Sequence, residues 1–353
     1  MARKTNRVLK ATEEDVLLIS EDNKQLLDEF MVYYEASDHS KSSCTVTLSN
    51  LKIFFVWNMK YNKNKFFAKI KRKDFLQYQS YLLSNGLSPA RIRALRSSIS
   101  SLSIYIENMI ISELDEDDDE YGIWKKWKPS INSIPAPVGS FVRKKTVMSD
   151  SDVQKMLDYL TSKKQFQKAC LLSLALCSGC RKSELNQFLV SFFNKENLIF
   201  NGALYVTPTT IKTKGRGSQG KQLQKYTLAK DFQPYLDMWL KQREELNIDS
   251  EFLFVIKGEN GWEQMPVTTL NSYARSFTNI LGTDFYWHSC RHFLCSRLSK
   301  LGFSAESIRT LYGWESVEMV KVYDDGDQVG ALEKYFSSTG DIQKVEEKTI
   351  AYL

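Results

Sequence analysis

The amino-acid sequence predicts a mainly α-helical protein with a small antiparallel β-sheet, divided into an N-terminal all-helical domain and a mixed α+β domain behind it. Three observations carry that expectation. The 353 residues exceed what one small core needs and suit two domains of about 100–200 residues each. Apolar residues recur at the helical spacing of three to four through most of the chain and give way to strand-like runs only between Leu198 and Leu228. Between the two regions lies the stretch Tyr121 to Lys145, with three prolines, six basic residues, no acid and no helical period, which reads as an extended linker. The expected organisation is a flexible N-terminus over 1–20, a helical domain over 21–130, a linker over 131–146 and a second domain over 147–353.

In the first domain, Leu26, Leu27, Phe30, Tyr33 and Tyr34 mark a helix that begins near Asn23. The run TLSNLKIFFVWNMKYN predicts a second helix, with its own threonine and serine as caps, and Asp74 to Leu83 a third that buries Phe75, Tyr78 and Leu82. The fourth is the best marked: Ser88 caps it, Pro89 suits its first turn, and Ile92, Leu95, Ile99 and Leu102 form its apolar stripe. Arg93 and Arg96 lie a turn apart, off that stripe, where they can reach phosphates. In the linker, Trp124 and Trp127 flank Lys125 and Lys126; the tryptophans either stack on bases or anchor the linker to a domain.

The second domain opens with Ser149 and Asp152 in a capping-box spacing. FQKACLLSLALCSG is apolar almost all round and predicts a buried helix closed by Gly179. Leu204, Val206, Ile211 and the run KYTL, around a Gly/Lys-rich turn, predict a small antiparallel sheet with a long hairpin; helices return beyond Pro234. Near the end, Val329, Leu332, Tyr335 and Phe336 predict a last helix from about residue 329.

Composition narrows the function classes. Lys and Arg number 48 against 42 Asp and Glu, a formal charge of +6, but seven of the acids fall within residues 113–120. Outside that run 48 basic residues face 35 acidic ones, a balance of +13. Residues 41–100 carry twelve Lys/Arg and one acid, Asp74, the footprint of a polyanion-binding surface or of a solvated lysine-rich face. Candidate DNA contacts are Lys41, Lys60, Lys63, Lys65, Arg91, Arg93, Arg96, Lys125, Lys126 and Arg143. There is no run of 18 apolar residues for a membrane span, and the basic start leads into ATEEDV with no apolar leader, so neither a span nor a signal peptide is expected. Cys177 and Cys180 have knuckle spacing, but no second pair and only three histidines accompany them. No metal is expected, and the six cysteines read as reduced core residues.

The chemistry-bearing residues come late. CSGCRKSEL places Arg181 after the buried helix and Glu184 one turn on; HSCRHF places His288 and Arg291 on one helical face. Trp314, after Gly313, follows His288 by 26 residues, and Tyr323 follows Trp314 by nine.

In these residues the chain resembles the tyrosine recombinases, the DNA strand-exchange enzymes that include phage integrases. Arg181 with Glu184, a hairpin lysine (Lys212 or Lys214), His288 with Arg291, Trp314 and Tyr323 match the family's pattern in order. The resemblance covers the whole chain, as a helical core-binding domain ahead of a mixed catalytic domain. The Gly-Trp pair, where most members have Gly-His, makes it similar to the phage Cre recombinase. The resemblance implies a 3′-phosphotyrosine intermediate, a released 5′ hydroxyl, no cofactor, and a homotetramer acting on two duplex DNA sites with inverted repeats. It also implies that the last helix docks into a neighbouring subunit, the alternative being that it folds back on its own domain. A type IB topoisomerase shares the chemistry, and an inactive recombinase-derived DNA-binding protein shares the fold.

The residues suit that chemistry on their own terms. In-line attack on a phosphodiester builds negative charge on its oxygens, and without a metal this calls for permanent forked cations, the role open to Arg181 and Arg291. Tyr323 supplies an oxygen nucleophile and His288 a base or hydrogen-bond partner for its proton. The resemblance gives the hairpin lysine the protonation of the leaving oxygen, for which a Gly-rich turn suits a residue that must move. Glu184 orients its neighbours or simply caps a helix; Trp314 offers one N–H to a phosphate oxygen, packs as a core aromatic, or does both. His292 is expected to support the site from behind, and Cys290 and Cys295 to pack.

Overall fold

The structure is a computed structural model that describes residues 9–115, 121–125, 127–138, 147–215, 217 and 219–325. Apart from the turn residues Gly217 and Gln219 they fall into two compact units, 9–138 and 147–325.

The first unit is helical: α1 (Glu13–Leu17), α2 (Glu21–Ala36), α3 (Lys41–Tyr61), α4 (Arg72–Ser84), α5 (Pro89–Tyr105) and α6 (Tyr121–Trp124). A π-helical turn, Ile106–Ile110, continues α5. Each start has a local cause. The Ser88 hydroxyl accepts the Arg91 N–H at 3.3 Å with Pro89 in the first turn of α5, as the sequence predicts. α3 begins six residues ahead of the expected Thr47, because the Ser40 hydroxyl accepts the Ser43 N–H and caps it there. The N-terminal stretch expected to be flexible contains α1, which Thr12 caps and three first-turn acids favour, and it buries Ile19. Phe54 stands at the centre of the core, with the rings of Phe55, Phe67, Phe75 and Tyr78 at centroid distances of 5.0–6.0 Å.

The start of the expected linker belongs to this unit. Ile131 and Ile134 are buried in its core, and Trp124 is buried against Phe66 and Trp127, the anchoring alternative rather than base stacking. Arg96 donates to the carbonyls of Ile131 at 3.0 Å and Pro135 at 3.4 Å, and Arg72 to that of Ser133 at 3.0 Å. Prolines deny this strip a helical period, but its two isoleucines still bury apolar area.

The second unit contains α7 (Asp150–Ser162), α8 (Phe166–Ser178), α9 (Lys182–Leu185), α10 (Ala229–Glu245), α11 (Thr269–Leu281), α12 (Trp287–Lys300), α13 (Ala305–Tyr312) and α14 (Glu318–Tyr323). Its strands are β1 (Leu198–Ile199), β2 (Leu204–Val206), β3 (Ile211–Thr213), β4 (Lys221–Leu223), β5 (Tyr226–Leu228), β6 (Val255–Gly258) and β7 (Gly261–Gln264). They form an antiparallel sheet β1-β2-β5 and two hairpins, β3-β4 and β6-β7. The second hairpin lies where helices are expected; its Gly258 and Gly261 pair across a two-residue turn. α10 contains Pro234 instead of starting after it, losing one early N–H donor. The capping box of Ser149 and Asp152 starts α7, and Gly179, at φ +59°, ends α8 as predicted.

α8 is the axis of this unit: every residue from Ala169 to Ser178 is buried, and α7, α10 and α12 pack around it. A smaller core joins α12, α13 and α14 through Leu294, Leu298, Ile308, Leu311 and Val320. The helix expected from residue 329 lies outside the described residues. Among the described residues no helix is long and apolar enough to cross a membrane.

Candidate active site

Four elements of the second unit bring one aromatic and cationic cluster together. α12 presents His288, Arg291 and His292 to α14, whose last residue is Tyr323. The Tyr323 hydroxyl lies 2.8 Å from His288 Nε2, a hydrogen-bonding distance. Trp314, set by the left-handed Gly313 that ends α13, stacks on Tyr323 with centroids 5.0 Å apart, and on Tyr312 at 4.3 Å. The Arg291 guanidinium is packed among these rings, 4.6 Å from the Tyr312 centroid, 5.0 Å from Trp314 and 5.3 Å from Tyr323.

Arg291 is 1% exposed, yet only part of its fork is used: Nη1 donates to the Gly179 carbonyl at 2.6 Å. Its Nε and Nη2, and the indole Nε1 of Trp314, are buried with no acceptor among the described residues. A buried donor left unpaired costs about 1–3 kcal/mol, so three donors on two adjacent side chains are a feature that calls for a function. An anion is the kind of partner that guanidinium and indole N–H donors suit.

Gly179 makes the approach of α8 to this cluster possible. A Cβ there would run into the Tyr312 ring, and its positive φ already disfavours other residues. The Tyr312 hydroxyl donates to the Arg291 carbonyl at 3.0 Å, so the same ring that excludes a side chain at 179 also ties α13 to α12.

The second cluster is built on Glu184, whose side chain is 0% exposed. Its carboxylate accepts the Arg181 backbone N–H at 2.9 Å, Arg181 Nη1 at 3.0 Å, the Thr213 hydroxyl, and Lys225 Nζ at 3.2 Å. Glu184 therefore both caps α9 and orients Arg181. Thr213 also accepts from Arg181 Nη1 at 3.0 Å, which ties the end of β3 to the arginine.

Charge and burial tune these groups. Partial burial, the neighbouring His292 and the charges of Arg291 and Arg181 push His288 down to about 4, so its imidazole is neutral at pH 7 and can accept a proton. Burial works against the Glu184 carboxylate, but Lys225, Thr213 and Arg181 together hold its pKa below the ordinary value. All six cysteines are buried free thiols, and burial lifts Cys180 to about 11 and Cys177 to about 12.

His292 stands behind Tyr323, ring centroids 4.7 Å apart, and its Nδ1 lies 2.8 Å from the Asp325 carboxylate. The Asp325 N–H donates to Ser296 at 2.7 Å, so the residues just past the tyrosine are fastened to α12.

The two candidate lysines are not drawn into the cluster. In β3 the burial alternates, with Ile211 and Thr213 buried and Lys212 exposed, and Lys214 follows exposed at the bend. Neither side chain makes a hydrogen bond or ion pair among the described residues, while the Lys212 backbone is held by Gln187. Lys221, opposite Thr213 in the hairpin, pairs with Glu315.

Of the candidate DNA contacts, Lys41 and Lys63 are exposed on the first unit, Lys125 is exposed, and Arg91 is half-buried. Four others are engaged within the protein. Lys60 pairs with Asp15 at 2.6 Å, Lys65 with the buried Asp74 at 2.7 Å, Arg93 donates to the Pro137 carbonyl at 2.8 Å, and Arg96 holds the strip 131–135. For Lys65 and Arg96 these partners lie nine and about forty residues away, where helical spacing carries no signal. Lys126 and Arg143 lie outside the described residues.

Sequence reasoning missed Thr213, Lys225, Tyr312 and Asp325. Lys225 left a trace: it shares strand parity with the inward-facing Thr227. Among the described residues no group of three His, Cys, Asp or Glu is placed to hold a metal.

Comparison with known proteins agrees with this architecture. The chain is 28% identical over 236 residues to the SPbeta prophage-derived recombinase-like protein YomM of Bacillus subtilis (strain 168), a match covering 67% of this chain and 66% of that protein, just under two thirds of its length. Its fold is similar to that of XerH site-specific recombinase bound to palindromic difH substrate in a post-cleavage complex, with TM-score 0.61, 18% identity, and 92% and 88% of the two chains covered. It is similar also to a lambda integrase dimer bound to a COC′ core site, with TM-score 0.60, 13% identity, and 92% and 99% covered. The phage integrase family matches residues 146–328, more than half of the sequence and all of the clustered side chains, and the chain belongs to that family, the tyrosine site-specific recombinases.

Proposed function

We propose that this protein cuts and rejoins duplex DNA through a 3′-phosphotyrosine at Tyr323 and exchanges strands between two sites that carry inverted repeats. The observation that carries the reading is the 2.8 Å contact of the Tyr323 hydroxyl with His288 Nε2, beside buried Arg291 and Trp314 donors that have no acceptor among the described residues. The scissile phosphate is bound by Arg181, by Arg291 Nε and Nη2, and by Trp314 Nε1. The Tyr323 oxygen attacks phosphorus as its proton passes to His288 Nε2. The Tyr O–P bond forms, the P–O5′ bond breaks, and the leaving 5′ oxygen takes a proton from Lys212 or Lys214, carried in by the hairpin. The exposure of both lysines supports such a movement. Attack by a 5′ hydroxyl of the other site reverses each transfer and rejoins the strands, so no high-energy cofactor is needed.

Residues up to about 130 form the DNA core-binding domain and residues from about 147 the catalytic domain, and a homotetramer acts on the two sites. XerH and lambda integrase, both solved on DNA, support duplex DNA as the partner. A mobile-element role accords with the prophage origin of YomM. The test uses a nicked duplex carrying the inverted repeats that flank the host element. Wild-type protein is expected to form a covalent adduct, and Tyr323→Phe to bind the same duplex without forming one. No adduct from the wild type would overturn the proposal; relaxation of any supercoiled plasmid by a monomer would mark a type IB topoisomerase instead.

A further inference from the structure

Lys225 is one of the least expected side chains in the molecule. Lysine is almost never fully buried without a partner, yet this one is 4% exposed. Its backbone is fixed, since its N–H donates to the Thr207 hydroxyl at 3.0 Å and its carbonyl accepts the Thr207 N–H at 3.0 Å. Its ammonium faces Glu184 Oε2 at 3.2 Å. A lysine held at both ends cannot travel to a leaving group, so it does not compete with Lys212 and Lys214 for proton donation.

The charge count in this buried cluster shows what Lys225 does. Arg181 and Lys225 are two cations around one anion, Glu184, and the cluster is net positive by one charge. Without Lys225 the only cation in ion-pair contact with the carboxylate among the described residues would be Arg181, and this cluster would be neutral. Arg181 uses Nη1 for both Glu184 and Thr213, and its side chain is 28% exposed, so among the described residues the rest of the fork is open to a ligand. Low-dielectric surroundings make that difference of one charge felt by an anion nearby.

We infer that Lys225 is a positioning residue for strand cleavage: it neutralises the buried Glu184 carboxylate and so leaves the charge and the open edge of Arg181 to the scissile phosphate. The inference rests on the function proposed above. It predicts that Lys225 matters only while Glu184 is charged, which a merely structural lysine would not obey.

The experiment measures single-turnover cleavage of the nicked repeat duplex at saturating protein, with gel-shift affinity and thermal melting recorded for every variant. Lys225→Met is expected to slow cleavage roughly ten- to a hundredfold, less than the loss of a donor that touches the phosphate, with DNA affinity within about threefold. Lys225→Arg is expected to recover most of that rate. Adding Lys225→Met to Glu184→Gln is expected to cause no further loss, because no buried carboxylate is left to neutralise. Should Lys225→Met fail to fold, the comparison of Glu184→Gln with the double variant decides alone. Lys225→Met cleaving as fast as wild type, or slowing the Glu184→Gln protein as much as it slows the wild type, would overturn the inference alone. Wild-type protein that forms no adduct would instead overturn the proposed function on which it rests.

Discussion

The Tyr323 hydroxyl and His288 Nε2 lie 2.8 Å apart although 35 residues separate them, and the contact is framed by groups that leave little freedom to either partner. His288 is fixed on α12; Tyr323 is clamped between Trp314 and His292 and fastened beyond by Asp325 to Ser296. In the proposed function, such preorganisation sets the nucleophile and its proton acceptor in place before the substrate arrives.

The first prediction concerns pH. A histidine with a folded value near 4 and an unfolded value near 6.5 binds fewer protons folded than unfolded between those limits, so its contribution to stability falls as pH drops from about 6.5 through 4. The acid limb of kcat/KM for cleavage is expected nearer pH 4 than 6.5. That of kcat is expected higher, because a bound phosphate offsets the arginine share of a depression whose largest cause is burial. Rate profiles of the wild type and thermal melts of His288→Gln across pH 4–8 check both; a kcat/KM limb at 6.5 would refute the prediction.

The second concerns the Arg291 fork. Arg291→Lys retains the charge but loses the planar donors packed among Tyr312, Trp314 and Tyr323. Cleavage is expected to fall about 10²–10³-fold with DNA affinity changed far less, as for loss of a donor that acts in the transition state. Adduct formation against time, with gel-shift affinity alongside, measures the split.

The third concerns Gly179. Gly179→Ala is expected to destabilise the second unit by about 2–5 kcal/mol, combining a left-handed backbone with overpacking of the Tyr312 ring. Urea denaturation reads the loss. Cleavage should fall further than the folded fraction does, because the Gly179 carbonyl also holds Arg291.

The fourth separates two basic residues that look alike in the sequence. Arg96→Gln removes donors to the strip 131–135 and is expected to cost about 1.5–3 kcal/mol of stability while leaving the salt dependence of DNA binding unchanged. Lys41→Ala, on an exposed first turn, is expected to alter stability by less than about 0.5 kcal/mol and to reduce the salt slope by about one charge. Melting curves and salt titrations of binding distinguish them; the opposite pattern would place Arg96 on the DNA surface.

By itself the sequence determined the elements whose causes are local. Ser88 with Pro89, Ser149 with Asp152, the buried run ending at Gly179 and the i, i+3 pair His288 and Arg291 are each decided within a few residues, and each is found in place. The ordered spacing of Arg181, Glu184, His288, Arg291, Trp314 and Tyr323 was legible too, because the family's pattern consists of residue types in order along the chain. Tertiary structure alone decided the rest. Lys225 meets Glu184 across 41 residues, Arg96 meets the strip 131–135 across nearly forty, and Thr213 reaches Arg181 from a strand edge. Capping and periodicity act over one or two turns of chain, whereas buried charge is paired by whatever the packing brings close. A lysine drawn as a solvated cation in the sequence can therefore be neutralised within the fold, and only the fold says which one is.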